Sequence, residues 1–178
     1  MPQPKSFLAP KQVLFNAEIG RGQTVVDLGA GNGFFALAAA QAVGPEGHVY
    51  VVDILEKSLE HVASESRRQN LGNISTIRHD LEKPGMEQVA AGSADVVIVA
   101  NVLHQIKNTA GLIAEIYRLL KTGGRVCILD WNGEPSVFGP RSSRRVSEDN
   151  VREMFAKALK FERKVDGGQF HFGLIFVK

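Results

Sequence analysis

Asp27 stands two residues ahead of the first of three glycines at alternate positions, Gly29, Gly31 and Gly33, with Ala30 and Asn32 between them. The residues before the acid, Val25 and Val26, begin an apolar run suited to a buried parallel strand. The residues after the glycines, Phe-Phe-Ala-Leu-Ala-Ala-Ala, are good helix formers. Strand, tight glycine turn and helix together make the geometry of a nucleotide site. Glycines turn the chain sharply and keep a Cβ out of a ligand's path. The start of the helix offers free N–H groups and a partial positive charge. A second acid, Asp53, closes the apolar run His48–Asp53, where a carboxylate can accept both hydroxyls of a ribose.

The glycine loop alone is ambiguous, because Gly31-Asn-Gly33-Phe-Phe-Ala36 also fits the dinucleotide pattern. Asp27 tips the balance. A carboxylate beside helix-end amides would repel a pyrophosphate and suits a cationic ligand better. Asp27 could also simply hold the glycine turn by hydrogen bonds. Asp-x-Gly-x-Gly-x-Gly resembles the first motif of the class I S-adenosylmethionine (AdoMet) methyltransferases, in which the acid helps position the methionine part of a sulfonium cofactor. The resemblance is strongest over 24–131, where Tyr117–Arg125 is close to the family's usual helix-to-strand passage. It implies a cofactor site in which Asp27, Gly29, Ala30, Gly31, Asn32 and Gly33 hold the methionine end, Asp53 and Ile54 the ribose, and Asp80 and Leu81 the adenine. Asn101 would lie near the methyl. It further implies S-adenosylhomocysteine as the product. Asp53 fits NAD equally and argues against NADP, whose 2′-phosphate it would repel.

Around that site the elements follow from periodicity and turn chemistry. The expected strands are 24–28, 48–53, 74–78, 95–100 and 125–130, with a hairpin of 161–165 and 169–177 across Gly167-Gly168. The expected helices are a short one from Pro10 to Gly20 or Gly22, then 33–43, 56–70, 109–121 and 148–159. Residues 82–93 read as a loop with a weak helical turn, and residues 1–10, with three prolines, as partly irregular. The sum is an α/β, three-layer α/β/α sandwich: a mostly parallel seven-stranded sheet with a C-terminal antiparallel hairpin strand, as the family has. A single domain is expected over 1–178. Its segment 1–22 is either a packing element or a cover over the site.

Composition narrows the classes. Hydrophobic residues make up 44% and charged residues 22%, ordinary for a globular chain. A net charge of +2 gives no strong nucleic-acid signal, and no run reaches membrane-spanning length. Met-Pro-Gln-Pro-Lys-Ser is not followed by a long apolar run, so no signal peptide is read and a cytoplasmic location is expected. One cysteine, Cys127, excludes an internal disulfide framework and a multi-cysteine zinc site. It also fits poorly with the familiar arsenite-methylating type. Asp130 and Asn132 have a likeness to the metal site of catechol-type enzymes. The fourth strand ends in Ala100-Asn101 rather than an acid, so no metal is expected.

The acceptor side is less determined. His104 is the candidate general base, beside Asn101, if the acceptor is a hydroxyl or amine; the alternative is a packing histidine. Trp131, Arg141, Arg144 and Arg145 are the candidate substrate residues. Three guanidiniums in a short loop after the fifth strand could hold a carboxylate or phosphate, or could be surface charge. The overall expectation is methyl transfer from AdoMet to a small-molecule acceptor by in-line displacement, with oligomeric state open. The alternatives are a Rossmann-type NAD-dependent oxidoreductase and a non-catalytic AdoMet-binding protein.

Overall fold

The computed structural model describes residues 10–178, so the expected irregular stretch before Pro10 lies outside the described residues. The strands are β1 (Thr24–Leu28), β2 (His48–Asp53), β3 (Ile74–Arg78), β4 (Ala94–Ala100), β5 (Leu120–Trp131), β6 (Lys160–Val165) and β7 (His171–Val177). The helices are α1 (Pro10–Asn16), α2 (Phe34–Val43), α3 (Glu56–Arg68), α4 (Thr109–Leu119) and α5 (Glu148–Phe155). The strands form one sheet in the order β3-β2-β1-β4-β5-β7-β6. Every pairing is parallel except those of β7, which runs antiparallel to both β5 and β6.

Alternation along each central strand feeds two cores. Val26, Leu28, Val97, Val99, Val126 and Ile128 point to one face, covered by α4 and α5 residues such as Leu112, Ile116 and Phe155. Val25, Val96, Ile98 and Cys127 point to the other, covered by Leu14, Ala36, Ala40 and Val62 of α1, α2 and α3. Both faces are buried, which explains why these strands read as unbroken valine and isoleucine runs. After β1 the chain moves outward to β2 and β3, and then returns to β4 on β1's other side. The strand order therefore reverses between β1 and β4, and a crevice opens beyond their carboxyl ends.

Several boundaries differ from the sequence reading, and those of β5, α5 and α3 have a visible cause. The fifth strand was expected from Arg125, yet β5 already pairs at Leu120 with Ala94, slips by a bulge, and resumes at Arg125 opposite Val96. Gly123 takes φ 78°, and the Gly123 and Lys178 amides bond across to the Lys178 and Gly124 carbonyls. Backbone pairing thus overrides the helical period of 109–121. Helix α5 stops at Phe155 rather than 159, ending in turns whose Ala158 and Leu159 amides both reach the Phe155 carbonyl. Helix α3 ends two residues short of Asn70, which adopts φ 56°.

No helix covers β3-to-β4; residues 82–93 are turns, fastened by a salt bridge on α4. Arg118 donates to Glu115 at 2.6 Å and to the Val89 and Met86 carbonyls, while Glu115 accepts from the Met86 amide. Hydrogen bonding from Arg118 holds the Glu115 carboxyl below its ordinary value. That depressed pKa means the stabilisation is present above pH 4.5 and is lost as pH falls through the folded value. Glu115→Ala strands Arg118 and the buried Met86 amide, and is expected to cost about 2–4 kcal/mol in urea unfolding at pH 7. The difference from wild type should shrink on acidification; a pH-independent difference would remove the charge from the account.

Candidate active site

The glycine loop is built by three separate demands. Gly29 and Ala30 both donate to the Val52 carbonyl, at 2.8 and 3.1 Å, which folds the loop onto the end of β2. Gly33 takes φ 75°, and a Cβ there would lie 2.4 Å from Val62 of α3, so it sets how closely α2 and α3 approach. Gly31, at φ 52°, has nothing within 4 Å of its missing Cβ and is among the residues that line the crevice.

Asp53 holds this loop from the neighbouring strand. Its Oδ2 accepts from the Gly31 amide at 2.8 Å and its Oδ1 from the Leu55 amide at 2.8 Å. Two lone-pair positions remain for a ligand. Asp27, by contrast, is 1% exposed, and its Oδ2 has no hydrogen-bond partner. Burial raises its pKa to about 7; the Asp53 charge adds to the rise and the Ala36 amide opposes it.

A cavity of about 510 Å³ lies over these groups, within the range of small-molecule sites. Its lining brings together Asp27, Gly29, Ala30, Gly31, Asn32, Asp53, Ile54, Asp80, Leu81 and Asn101, drawn from the ends of β1, β2, β3 and β4. Asp80 also shapes its own turn by accepting from the Glu82 amide at 3.0 Å. Asn101 ends β4 at φ 59°, a strained conformation for a side-chain-bearing residue, and its Oδ1 is buried without a partner. The lining also includes Phe35, Ser58, Gln105 and Ile106, which sequence reasoning missed. Glu82 was missed too: it accepts from the Lys107 and Asn108 amides and ties the end of β3 to the start of α4. No local pattern announces such a long-range cap.

None of residues 10–22 lines the cavity. Helix α1 packs into the core beside α2, and the chain after it is anchored where Glu18 meets Arg163 at 2.7 Å and Arg125 at 3.3 Å. Arg125 pairs with Val96 near the start of β4, the opposite end from the crevice. The described part of the N-terminal segment thus packs against the core and lines no part of the cavity.

His104 sits in a 3-10 turn, Leu103–Gln105, after β4. Its Nδ1 is buried and lies 3.7 Å from Asp130 Oδ1. Asp130 is fully buried at the end of β5 and accepts from the Leu103 amide at 3.0 Å and the Trp131 amide at 2.8 Å. Burial pushes the Asp130 carboxyl up, against the Trp131 amide, His104 and the Leu103 amide. His104, Gln105, Pro140, Arg141 and Arg144 wall a second, open hollow, and Gln105 lines both it and the first cavity.

The expected substrate group divides here. Arg145 does not line the hollow. Its guanidinium donates to the Pro140, Asn132, Glu134 and Phe138 carbonyls and lies 5.3 Å from the Trp131 ring centre. Trp131 lines neither cavity: His171 stacks on it at 4.2 Å, and Gly139 passes so close that a Cβ there would lie 2.4 Å from the indole. Both residues fasten the loop, which sets them apart from Arg141 and Arg144, with which the sequence reading grouped them. Burial of His171 beside the tryptophan lowers its pKa to about 4, with Arg145 adding to the shift, so it stays neutral. Among the described residues no cluster of His, Cys, Asp or Glu could hold a metal ion.

Residues 19–168 match a methyltransferase domain family. This chain belongs to that family. It is 36% identical over 118 residues to an arsenite methyltransferase of Halobacterium salinarum, covering 64% of this chain and 28% of that protein. It is 28% identical over 150 residues to a demethylmenaquinone methyltransferase of Geobacillus kaustophilus, covering 84% and 62%. The chain thus spans less than two thirds of the length of these curated relatives. A SAM-dependent methyltransferase from Aquifex aeolicus shares the fold, with a TM-score of 0.87 at 24% identity, covering 96% of this chain and 89% of that one. Among the described residues no helix is long and apolar enough to cross a membrane.

The glycines should respond differently to a methyl group. Gly33→Ala meets both a left-handed φ and Val62, and is expected to destabilise by about 2–4 kcal/mol. Gly31→Ala meets only the backbone strain, about 1–2 kcal/mol. Urea unfolding of the two variants checks this; equal losses would show that the α2–α3 approach is not set at Gly33.

Proposed function

We propose that this chain is an AdoMet-dependent methyltransferase acting on a small-molecule acceptor. The observation that carries the reading is Asp27, a buried carboxyl among the residues that line the cavity, whose Oδ2 has no hydrogen-bond partner. A carboxyl group kept from water without a partner is costly unless a ligand completes it. A cation such as the cofactor's ammonium does so, whereas a pyrophosphate would be repelled. That same argument disfavours the NAD-dependent alternative. Together with the Asn101 Oδ1 and the open side of Gly31, the residues present fit AdoMet.

In this reading Asp27 and the loop residues Gly29, Ala30, Gly31 and Asn32 hold the methionine end, while Gly33, which does not line the cavity, shapes the loop by its close approach to Val62. Asp53 and Ile54 hold the ribose, Asp80 and Leu81 the adenine, and Asn101 the neighbourhood of the methyl. When bound, the cofactor supplies a methyl group activated by its sulfonium. The chain's own contribution is alignment and exclusion of water: β1, β2 and β4 fix the cavity wall, and Val102 and Ile106 close it with apolar surface. The acceptors named for the two relatives, arsenite and demethylmenaquinone, are both small. Arsenite fits this chain poorly, since its one cysteine, Cys127, is fully buried in β5 with its thiol pushed up to about 12.

Calorimetry is expected to show AdoMet and S-adenosylhomocysteine binding, with no comparable affinity for NAD; tighter NAD binding would overturn the reading. Asp53→Ala removes the Gly31 anchor and the ribose acceptor together, and should weaken S-adenosylhomocysteine binding by at least about tenfold.

The Asp27 pKa sets a pH dependence. Its folded value of about 7 lies above the ordinary 3.8, so in the free protein it lowers stability as pH climbs between those values. A bound ammonium favours the carboxylate, so binding expels a proton below pH 7. Affinity for S-adenosylhomocysteine should therefore rise about tenfold from pH 6 to pH 8. Asp27→Asn should bind more weakly and flatten this profile; an unflattened profile would assign the titration to another group.

A further inference from the structure

We propose that the hollow walled by His104, Gln105, Arg141 and Arg144 is the acceptor subsite, and that it takes a small oxyanion-bearing molecule whose reacting O–H or N–H gives its proton to His104. The inference rests on the methyltransferase reading and names the acceptor class for that same site.

Three independent features meet in the hollow. First, it adjoins the cofactor-sized cavity through Gln105, which lines both. An acceptor held there lies beside Asn101 and Gln105 at the end of β4, where the two spaces join. Second, Arg141 and Arg144 are exposed and make no side-chain hydrogen bond or ion pair within the described residues, yet both line the same hollow. Their backbone is set by a 3-10 turn, Ser142–Arg144, closed by the Arg144 amide on the Arg141 carbonyl at 2.8 Å. Arg145 next to them spends its guanidinium on loop carbonyls. The loop is thereby pinned by one arginine while the other two keep free forks, which suit a carboxylate or phosphate.

Third, His104 is oriented. Its Nδ1 lies 3.7 Å from Oδ1 of the fully buried Asp130, and His104 is one of the residues that wall the hollow. Asp130 is itself fixed by the Leu103 and Trp131 amides. In the proposed step Nδ1 bonds Asp130 and Nε2 accepts the proton; catalytic contacts that are long in the free protein commonly tighten only on binding. The charged groups facing His104 are Asp130 from β5 and Arg141 and Arg144 from the loop. The step balances: the acceptor's heteroatom loses its proton to Nε2 and forms the new bond to carbon. The carbon–sulfur bond breaks with its pair left on a neutral thioether. Imidazole becomes imidazolium opposite the Asp130 carboxylate. Asp130 is thus a positioning residue and His104 the proton acceptor.

The test uses full-length protein saturated with S-adenosylhomocysteine, whose own titration reports the cofactor reading separately. Inorganic phosphate and 4-hydroxybenzoate are titrated by calorimetry, and the tighter of the two identifies the oxyanion as phosphate or carboxylate. Arg141→Ala/Arg144→Ala is expected to weaken the bound probe by at least about tenfold with S-adenosylhomocysteine affinity unchanged. Absence of binding by either probe, or equal affinity in the double variant, overturns the subsite. The His104 ring signals, followed by NMR, should shift when the probe is added to the wild-type protein and stay in place when it is added to Arg141→Ala/Arg144→Ala. Ring signals indifferent to the bound probe overturn the placement of His104 in the hollow.

Discussion

The carboxylate of Asp53 joins two strands' worth of loop into one wall. By accepting from Gly31 and Leu55 it locks the turn after β1 to the turn after β2. The Gly29 and Ala30 amides, both on the Val52 carbonyl, complete the lock. Without this join the glycine loop has three left-handed residues and no reason to hold one shape. With it, the start of α2, the Asp27 carboxyl and the crevice are fixed relative to one another. At Gly31 order comes from the hydrogen bond to its amide rather than from packing, which leaves the space beside its Cα open.

The site spends stability on polarity. Asp27 and Asn101 each bury an oxygen without a partner, and Asn101 does so from a strained backbone. Buried polar atoms in the rest of the molecule are mostly matched, as Asn73 is by the Ala40 and Gly44 carbonyls and Ser66 by that of Leu71. Unmatched atoms concentrated at one sheet edge mark where a ligand's atoms would complete the structure. The hollow beside His104 is arranged in the same manner, with Asp130 accepting from two backbone amides and His104 Nδ1 buried nearby without a partner.

Much of this was legible in the sequence because it depends on short-range rules. Doubly buried strands write themselves as valine runs, and a left-handed loop writes itself as glycine. The seven strands follow from those signals, whereas the reversal of order between β1 and β4 is seen only in the structure. The sharp acid Asp53 was legible as a strand-end carboxylate, but its bond to Gly31 was not, since 22 residues separate the partners. The start of β5 was misread because Leu119-Leu120-Lys121 satisfies the helical period while Leu120 is claimed by Ala94 across the sheet. The arginine loop shows the limit most clearly. Arg141, Arg144 and Arg145 are alike in sequence, and only the positions of the loop carbonyls separate a fastener from two free forks. The role of Trp131 was hidden for the same reason, because Gly139 and His171 reach it from outside its own strand.

The place of β7 has a consequence for assembly order. It is the last of the seven strands in the chain, yet it lies between β5 and β6. The strands that build the crevice, β1, β2 and β4, pair among themselves and with β3 and β5 without it. The arginine loop does not share that independence. Asn132, at its root, bonds to the Phe170 and Gln169 carbonyls just before β7, and Trp131 rests on His171 within it. Long-range pairings of this kind form late because the loop they close is entropically expensive. The nucleotide half of the molecule can therefore take shape early, while the opposite wall waits for β7 to slot into the sheet.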